Sequence, residues 1–295
     1  MLKNILISTR SPFVAATFAN IVFTTVLAHL CSYGIPIPLF IAVATGVLFL
    51  HLGANTANDY YDWDNSDKFN RNASPFNGGS RNNPQNVFSR GTFLTFTVIF
   101  FVAAAVLGLF VMLKYHRNLI PIYGLGGLFL GFLYSGPRGG LQSRGLGELA
   151  IFAAFGPVLS AGIFYALTGT TGLTGFIAGI PGGAAVLNIL LINEIPDEDA
   201  DRLGGKNNFN VRFGHRKTLM FAVFNDLIAA AAAFLLFFFG ILPIIPLVIL
   251  SVIFIVHAVL IVRKFGDKTA IPNLQKLTIT AQAIALLTAS AAAVI

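Results

Sequence analysis

Nine of the twelve carboxylates in this 295-residue chain fall in two short clusters. Asn58-Asp59-Tyr60-Tyr61-Asp62, with Asp64 and Asp67 after it, holds four; Asn193-Glu194-Ile195-Pro196-Asp197, with Glu198, Asp199 and Asp201 after it, holds five. Both open on Asn followed by an acid, and both place an Asp four residues after that Asn. Carboxylates crowded in this way repel unless a cation neutralises them. Oxygen donors without His or Cys select a hard ion: magnesium, manganese or calcium. Magnesium keeps several waters and completes its shell with substrate phosphate. The pattern therefore suits a diphosphate, with Lys68, Arg71, Arg138, Arg144, Arg202 and Lys206 as candidate second contacts to its oxygens. A single Asp of this kind reads as a solvated loop residue or a helix cap; two copies at matching places read as one site built twice.

The elements that must position these acids are apolar. With 56% apolar and 11% charged residues, the chain is far from the soluble pattern, in which about a quarter of residues carry charge. About 20 apolar residues cross a hydrocarbon core of about 30 Å. Nine segments qualify: 12–32, 37–58, 91–113, 119–135, 146–168, 172–193, 217–239, 241–262 and 274–295. The expectation is an all-α, polytopic membrane bundle of nine transmembrane helices. It forms a single domain over 1–295, with its acidic motif loops at 58–90 and 193–216. With a cytoplasmic N-terminus, seventeen of the nineteen Lys and Arg residues fall on the cytoplasmic side, leaving Lys114 and Arg117 outside. That bias predicts a multi-pass protein of the plasma membrane with its active site at the cytoplasmic face. The net charge of +7 then reads as topology and attraction to lipid head groups and phosphates, and nucleic acid is excluded as a partner because no soluble basic domain is present. The single Cys31 rules out an internal disulfide, and the first span reads as retained rather than cleaved.

Within the second span, His51, Asn55, Asn58 and Asp62 are offset by four, three and four, a polar stripe on one helical face. His51 there reads as packed and hydrogen-bonded, and as a candidate substrate contact together with Asn55. Residues 63–90 read as a lid over the acids. The loop Tyr134-Ser-Gly-Pro-Arg138 to Arg144-Gly-Leu-Gly-Glu148 has glycines that let backbone N–H groups approach an anion, with Arg138 and Arg144 adding charge and Tyr134 at its edge. Asn193, Asp197 and Asp201 are spaced i, i+4, i+8, so on a continuing helix they share a direction. Both motifs follow even-numbered spans, so they face one another across the mouth of the bundle. A diphosphate held there points a polyprenyl tail in among the spans or out into lipid, and twenty-nine Phe residues offer rings to a carbocation. Asp226, beside Asn225 and deep in the seventh span, either lines the acceptor or prenyl cavity or makes an interhelical hydrogen bond. The Gly179-Ile-Pro-Gly-Gly-Ala184 run reads as close packing or a kink.

Taken together these residues resemble the UbiA superfamily of intramembrane prenyltransferases. The resemblance covers essentially the whole chain. It rests on the spans, the Asn-Asp-x-x-Asp motif, the Tyr-Ser-x-Pro to Leu-Gly-Glu loop, and Asn193 to Lys206 leading to Val211-Arg-Phe-Gly214. The gap between Asp62 and Asp67 and the Asp-Arg-x-x-Gly-Lys continuation look most like the branch acting on 1,4-dihydroxy-2-naphthoate in menaquinone synthesis. The resemblance implies magnesium, or manganese, held by Asn58, Asp62 and Asp67 and by Asn193, Asp197 and Asp201. It implies ionisation of a prenyl diphosphate and capture of the allylic cation by an aromatic acceptor, which Asp59 or Asp67 orients or deprotonates. One position departs: Gln142 stands where the family often has a basic residue, which passes phosphate contact to Arg138 or Arg144. Other acceptors remain open, namely a glycerol-phosphate ether lipid, 4-hydroxybenzoate, a chlorin or a haem. A cation transporter with duplicated acidic sites is the reading from a different class, although its outer half would lack a charged pathway. The Asp-x2-Asp-Gly-x2-Ala-Arg run of a CDP-alcohol phosphotransferase is missing.

Overall fold

Apolar runs punctuated by Pro and Gly give helices that begin and end at those residues. The computed structural model describes residues 10–31, 33–64, 66–70, 88–136, 140–265 and 267–294. Its α-helices are α1 (Ser11–Leu30), α2 (Ile37–Asp62), α3 (Arg90–Tyr115), α4 (Ile120–Ser135), α5 (Gly147–Ala153), α6 (Leu159–Thr168), α7 (Leu173–Glu194), α8 (Glu198–Leu203), α9 (Phe209–Phe213), α10 (His215–Phe238), α11 (Ile244–Val262) and α12 (Ile271–Ala293). Pro occupies the first turn of α1, α2, α4 and α12, where its missing N–H leaves no bond unmade. Most of the 63–90 segment read as a lid, with Arg71, Arg138 and the side chain of Asp67, lies outside the described residues.

Among the described residues eight helical segments, not nine, are long and apolar enough to cross a membrane, with α5 and α6 counting as one. The span expected at 119–135 forms α4, whose 16 residues rise only about 24 Å at 1.5 Å each. The chain is a multi-pass, all-helical membrane bundle. α7 is its centre, with 78% of its apolar window buried, against 17% for α3. α3 instead turns Val98, Ile99, Val102 and Val106 outward, as lipid contact allows.

The glycine run of α7 does what close packing requires. α5 joins α6 through a π-turn over Ala154–Val158, in which Gly156 leaves helical dihedrals. Gly156 lies against Gly179 and Gly183, and a Cβ on Gly183 would sit 2.7 Å from Gly156 Cα. Only glycine lets the two backbones meet. Asn20 of α1 donates to the Phe155 carbonyl at 2.8 Å, satisfying a group that the kink displaces.

On the opposite side of α7 a polar network ties four helices together. His257 Nδ1 lies 2.8 Å from one oxygen of Asp226, and Asn188 donates to the other at 2.7 Å. His257 Nε2 is 2.9 Å from Thr278 Oγ1, and Asn225 donates to Asn188 Oδ1 at 2.9 Å. Asp226 is therefore corrected from candidate cavity wall to interhelical partner: Asn188, to which it is bonded, stands on the face of α7 turned away from the cavity residues Val186, Ile189 and Asn193. Asp226→Ala strands His257 and Asn188 in an apolar interior, so thermal unfolding in detergent should show a loss of about 2 kcal/mol. An unchanged melting temperature would show that the network carries no stability.

Candidate active site

The first motif ends α2 and the second follows α7, so two long helices deliver the acids to one end of a cavity of about 230 Å³. Asn58, Asp62, Asn193, Glu194, Asp197 and Asp201 line its mouth, while Val47, Leu50, Phe101, Leu128 and Leu159 make its walls apolar. The second motif does not continue one helix. α7 stops at Glu194, and Asp197 (φ −90°, ψ 0°) caps the separate α8, because Pro196 lacks an N–H and its ring clashes with the carbonyl four residues back. Asp197 and Asp201 nevertheless both reach the cavity.

One ammonium group joins the two motifs. Lys206 Nζ lies 3.0 Å from Asp62 Oδ2 and 3.3 Å from Asp201 Oδ1. The turn that brings it back passes through Gly204, where a Cβ would lie 2.7 Å from Ser66 N, and Gly205, at φ +75°. Amides hold the remaining carboxylate oxygens. Gln142 donates to Asp62 Oδ1 at 3.0 Å, Asn70 to Asp197 Oδ1 at 2.7 Å and Asn208 to Asp201 Oδ2 at 2.8 Å. Asn58 donates to Asp62 Oδ2 at 3.1 Å. Glu148, at the start of α5, accepts from the backbone N–H of Phe209 and pins the segment behind the second motif. Burial above all, with Asp197 and Asp62 adding to it and Lys206 opposing them, pushes the Asp201 carboxyl up to about 6. Crowding of this kind favours any added positive charge.

The donor set fits a hard cation. Asn193 Oδ1 and Glu194 Oε2 are buried, at 9% and 7% residue exposure, and take no hydrogen bond among the described residues. Buried oxygens left this way beside carboxylates are the groups that a magnesium ion satisfies. Among the described residues no three Asp, Glu, His or Cys side chains cluster closely enough to cage an ion by themselves. A cation here would draw on Asn oxygens and substrate phosphate as well.

The six basic candidates separate clearly. Lys206 lines the cavity. Lys68, Arg144 and Arg202 are exposed; Lys68 sits over the Phe69 ring and Arg202 pairs with Glu198 at 3.1 Å, so none of the three is turned into the site. Arg71 and Arg138 lie outside the described residues. Arg10 takes a place that sequence reasoning missed. It lines the cavity and contacts Asn58 Oδ1 at 2.6 Å and Asp59 Oδ1 at 2.5 Å. Its only sequence signal is its position as the last basic residue before the first span, two residues ahead of Pro12. Asp59 is fully buried and off the cavity wall, which corrects its reading as an acceptor contact: it holds Arg10. Tyr134, His51 and Asn55 line the cavity, as does Gln142, which had stood out only as a departure from the family pattern.

Comparison with known proteins agrees with this geometry. The chain is 25% identical over 212 residues to 1,4-dihydroxy-2-naphthoate octaprenyltransferase of Bacillus subtilis, a match spanning 70% of this chain and 65% of that protein. It is 27% identical over 268 residues to digeranylgeranylglyceryl phosphate synthase of Pyrococcus furiosus, spanning 89% and 88%. Its fold matches that of a UbiA homolog from Archaeoglobus fulgidus bound to DMAPP and Mg2+, with a TM-score of 0.64, 14% identity, and coverage of 96% of this chain and 99% of that one. Residues 20–293 match the UbiA prenyltransferase family. Nearly the whole bundle, with both acid motifs inside the matched segment, thus carries that family's pattern, and the chain belongs to the UbiA prenyltransferase family.

Proposed function

We propose that this chain transfers a prenyl group from a prenyl diphosphate to an acceptor in a magnesium-dependent reaction. The observation that carries the reading is the pair of acid motifs joined through Lys206 at the mouth of an apolar cavity. Asn58, Asp62 and Asp67 from one motif and Asn193, Asp197 and Asp201 from the other would hold magnesium, which when bound draws charge onto the departing diphosphate. Lys206 and Arg10 are cations on the cavity wall, and they stabilise that charge further. The apolar walls below keep water from the allylic carbon while the acceptor attacks it. The positive-inside bias supports a cytoplasmic mouth in the plasma membrane, and the continuous bundle supports a single functional unit.

The tail has a path. A second apolar cavity of about 380 Å³ shares Val47, Leu50, Phe101, Gly127, Leu128, Ala154 and Leu159 with the first and continues to Met112 and Ile120. For the acceptor, the motif spacing and the Bacillus relative support 1,4-dihydroxy-2-naphthoate. The longer match to the Pyrococcus synthase supports a second reading, a glycerol-phosphate ether lipid. The apolar walls beneath the acids disfavour an ion-transport pathway.

Purified protein with magnesium and labelled geranylgeranyl diphosphate, offered dihydroxynaphthoate, 4-hydroxybenzoate or geranylgeranylglyceryl phosphate in turn, tests these readings. Asp62→Ala and Asp197→Ala should each lower product formation at least about a hundredfold while the protein stays monodisperse. Full activity in either variant would reject the metal assignment. A Cβ at Gly127 would meet no other atom within 4 Å and Gly127 lines both cavities, so Gly127→Phe should plug the neck between them. Geranylgeranyl diphosphate should then fail as donor while dimethylallyl diphosphate still works. Equal use of the long donor would route the tail elsewhere.

A further inference from the structure

The elbow between α9 and α10 has a basic outer face. From Arg202 to Asn225 the sequence carries five Lys or Arg residues and no acid. Lys206 lines the cavity and Arg202 pairs with Glu198; the other three, Arg212, Arg216 and Lys217, are exposed. Two of them gather on one ring: the Arg212 guanidinium lies 5.1 Å and the Lys217 ammonium 5.8 Å from the centre of the exposed Phe213 side chain. Among the described residues none of the three pairs with a carboxylate. α10 also opens on His215, Arg216 and Lys217 with no acid in its first turn and no side-chain cap, an order that the helix dipole disfavours. What continues from these cations is apolar. Met220, Phe224 and Leu227 are exposed and follow Arg216 by four, eight and eleven residues, which is one helical face. On a membrane-crossing helix that face meets lipid, so its Arg216 end lies where acyl chains give way to head groups. The inner face of the elbow holds the second acid motif. Asn208 accepts from the Val211 N–H at 2.9 Å and donates to Asp201 Oδ2 at 2.8 Å. Asn210 donates to the Glu194 carbonyl at 3.3 Å and accepts from Thr218 Oγ1 at 3.2 Å. Phe213 rests on Phe209, ring centres 4.7 Å apart, and the Phe209 N–H donates to Glu148.

We propose that the outer face of this elbow binds an anionic phospholipid, with the head group at Arg212, Arg216 and Lys217 beside Phe213 and a chain along Met220 and Phe224, and that the bound lipid braces the second acid motif from behind. Charge complementarity selects the head group, since each basic residue near a negative lipid surface adds its own attraction. The phosphate also offsets three cations crowded at the positive end of α10. The apolar stripe that runs on from the cations selects a lipid over a soluble anion or an acidic protein, because neither covers a surface that faces hydrocarbon. The brace follows from the bonding. α9 is one short helix, so ordering Arg212 and Phe213 on its outer side also orders Asn208, Phe209 and Asn210, which hold Asp201, Glu148 and the end of α7. Lipid binding of this kind is separate from prenyl transfer and is measured without turnover.

Native mass spectrometry of the full chain in detergent, titrated with phosphatidylglycerol or phosphatidylcholine, tests the site. The parent should bind phosphatidylglycerol at least about tenfold more tightly than phosphatidylcholine. The triple variant Arg212→Gln/Arg216→Gln/Lys217→Gln should lose that preference. Arg263→Gln/Lys264→Gln/Lys276→Gln removes three other exposed cations and should keep the preference within about twofold. If the first triple does not fold, Arg216→Gln alone should still weaken phosphatidylglycerol binding at least about threefold. Hydrogen exchange over residues 197–213 should slow at least about threefold when phosphatidylglycerol is added to the parent, and stay unchanged in the first triple. Equal losses in the two triples would reduce the preference to general attraction and overturn the site. Displacement of the lipid by glycerol 3-phosphate at equal concentration would assign a soluble anion and overturn it as well. Lipid binding with unchanged exchange would overturn the brace.

Discussion

Like charges brought together at the end of an apolar cavity set the terms for everything else in this bundle. Asp62 and Asp201 approach closely enough for one Lys206 ammonium to touch both, a distance at which two bare carboxylates repel strongly in a medium of low polarity. The protein answers that repulsion locally, with Lys206, Arg10 and a set of amide donors from Gln142, Asn70 and Asn208. It leaves Asn193 Oδ1 and Glu194 Oε2 buried and unbonded among the described residues. The same crowding that destabilises the acids is what a divalent cation with a diphosphate would relieve, so binding and electrostatic relief would be one event.

The rest of the fold keeps the two motifs in place while they bear that strain. α7 carries the second motif and shows three different faces. Small residues meet Gly156 at the kink, Asn188 joins the Asp226 and His257 network, and Ile189 with Asn193 forms cavity wall. Each face fixes the helix against a different neighbour, so its C-terminal end has little freedom to move away from α2. α2 gives the cavity both polar and apolar lining residues, so a single helix bounds its acid-lined mouth and its apolar interior.

Hydrophobic runs and the doubled acid pattern made the membrane bundle and the meeting of the two motifs legible in the sequence, because both depend on spacing along single helices. The illegible part arises between segments. Arg10 reaches Asp59 across 49 residues and Gln142 reaches Asp62 across 80, and no local periodicity encodes such pairs. The basic residues stayed unsorted in the sequence for the same reason: charge is visible there, but direction is not, and Arg144 and Arg202 are exposed while Lys206, after two glycines, lines the cavity. Helical spacing overreached at Pro196, where continuity was expected and a turn intervenes. It left Asp226 between two readings, because its partner His257 sits on a different span.

The π-turn at Ala154–Val158 also changes how length variation would be borne. A π-turn inserts one residue into the helical count, and each residue added or removed rotates the downstream helix by about 100°. Ser160, Ile163 and Leu167 are buried because of that offset: Ser160 meets Thr24, and the other two join the apolar core shared with α2. Deleting a single residue from the turn would smooth the helix and at the same time swing the whole of α6 out of phase with its neighbours. A seemingly tidier helix would thus present its inner residues to lipid, and the irregular one is the form that keeps them in register with the bundle.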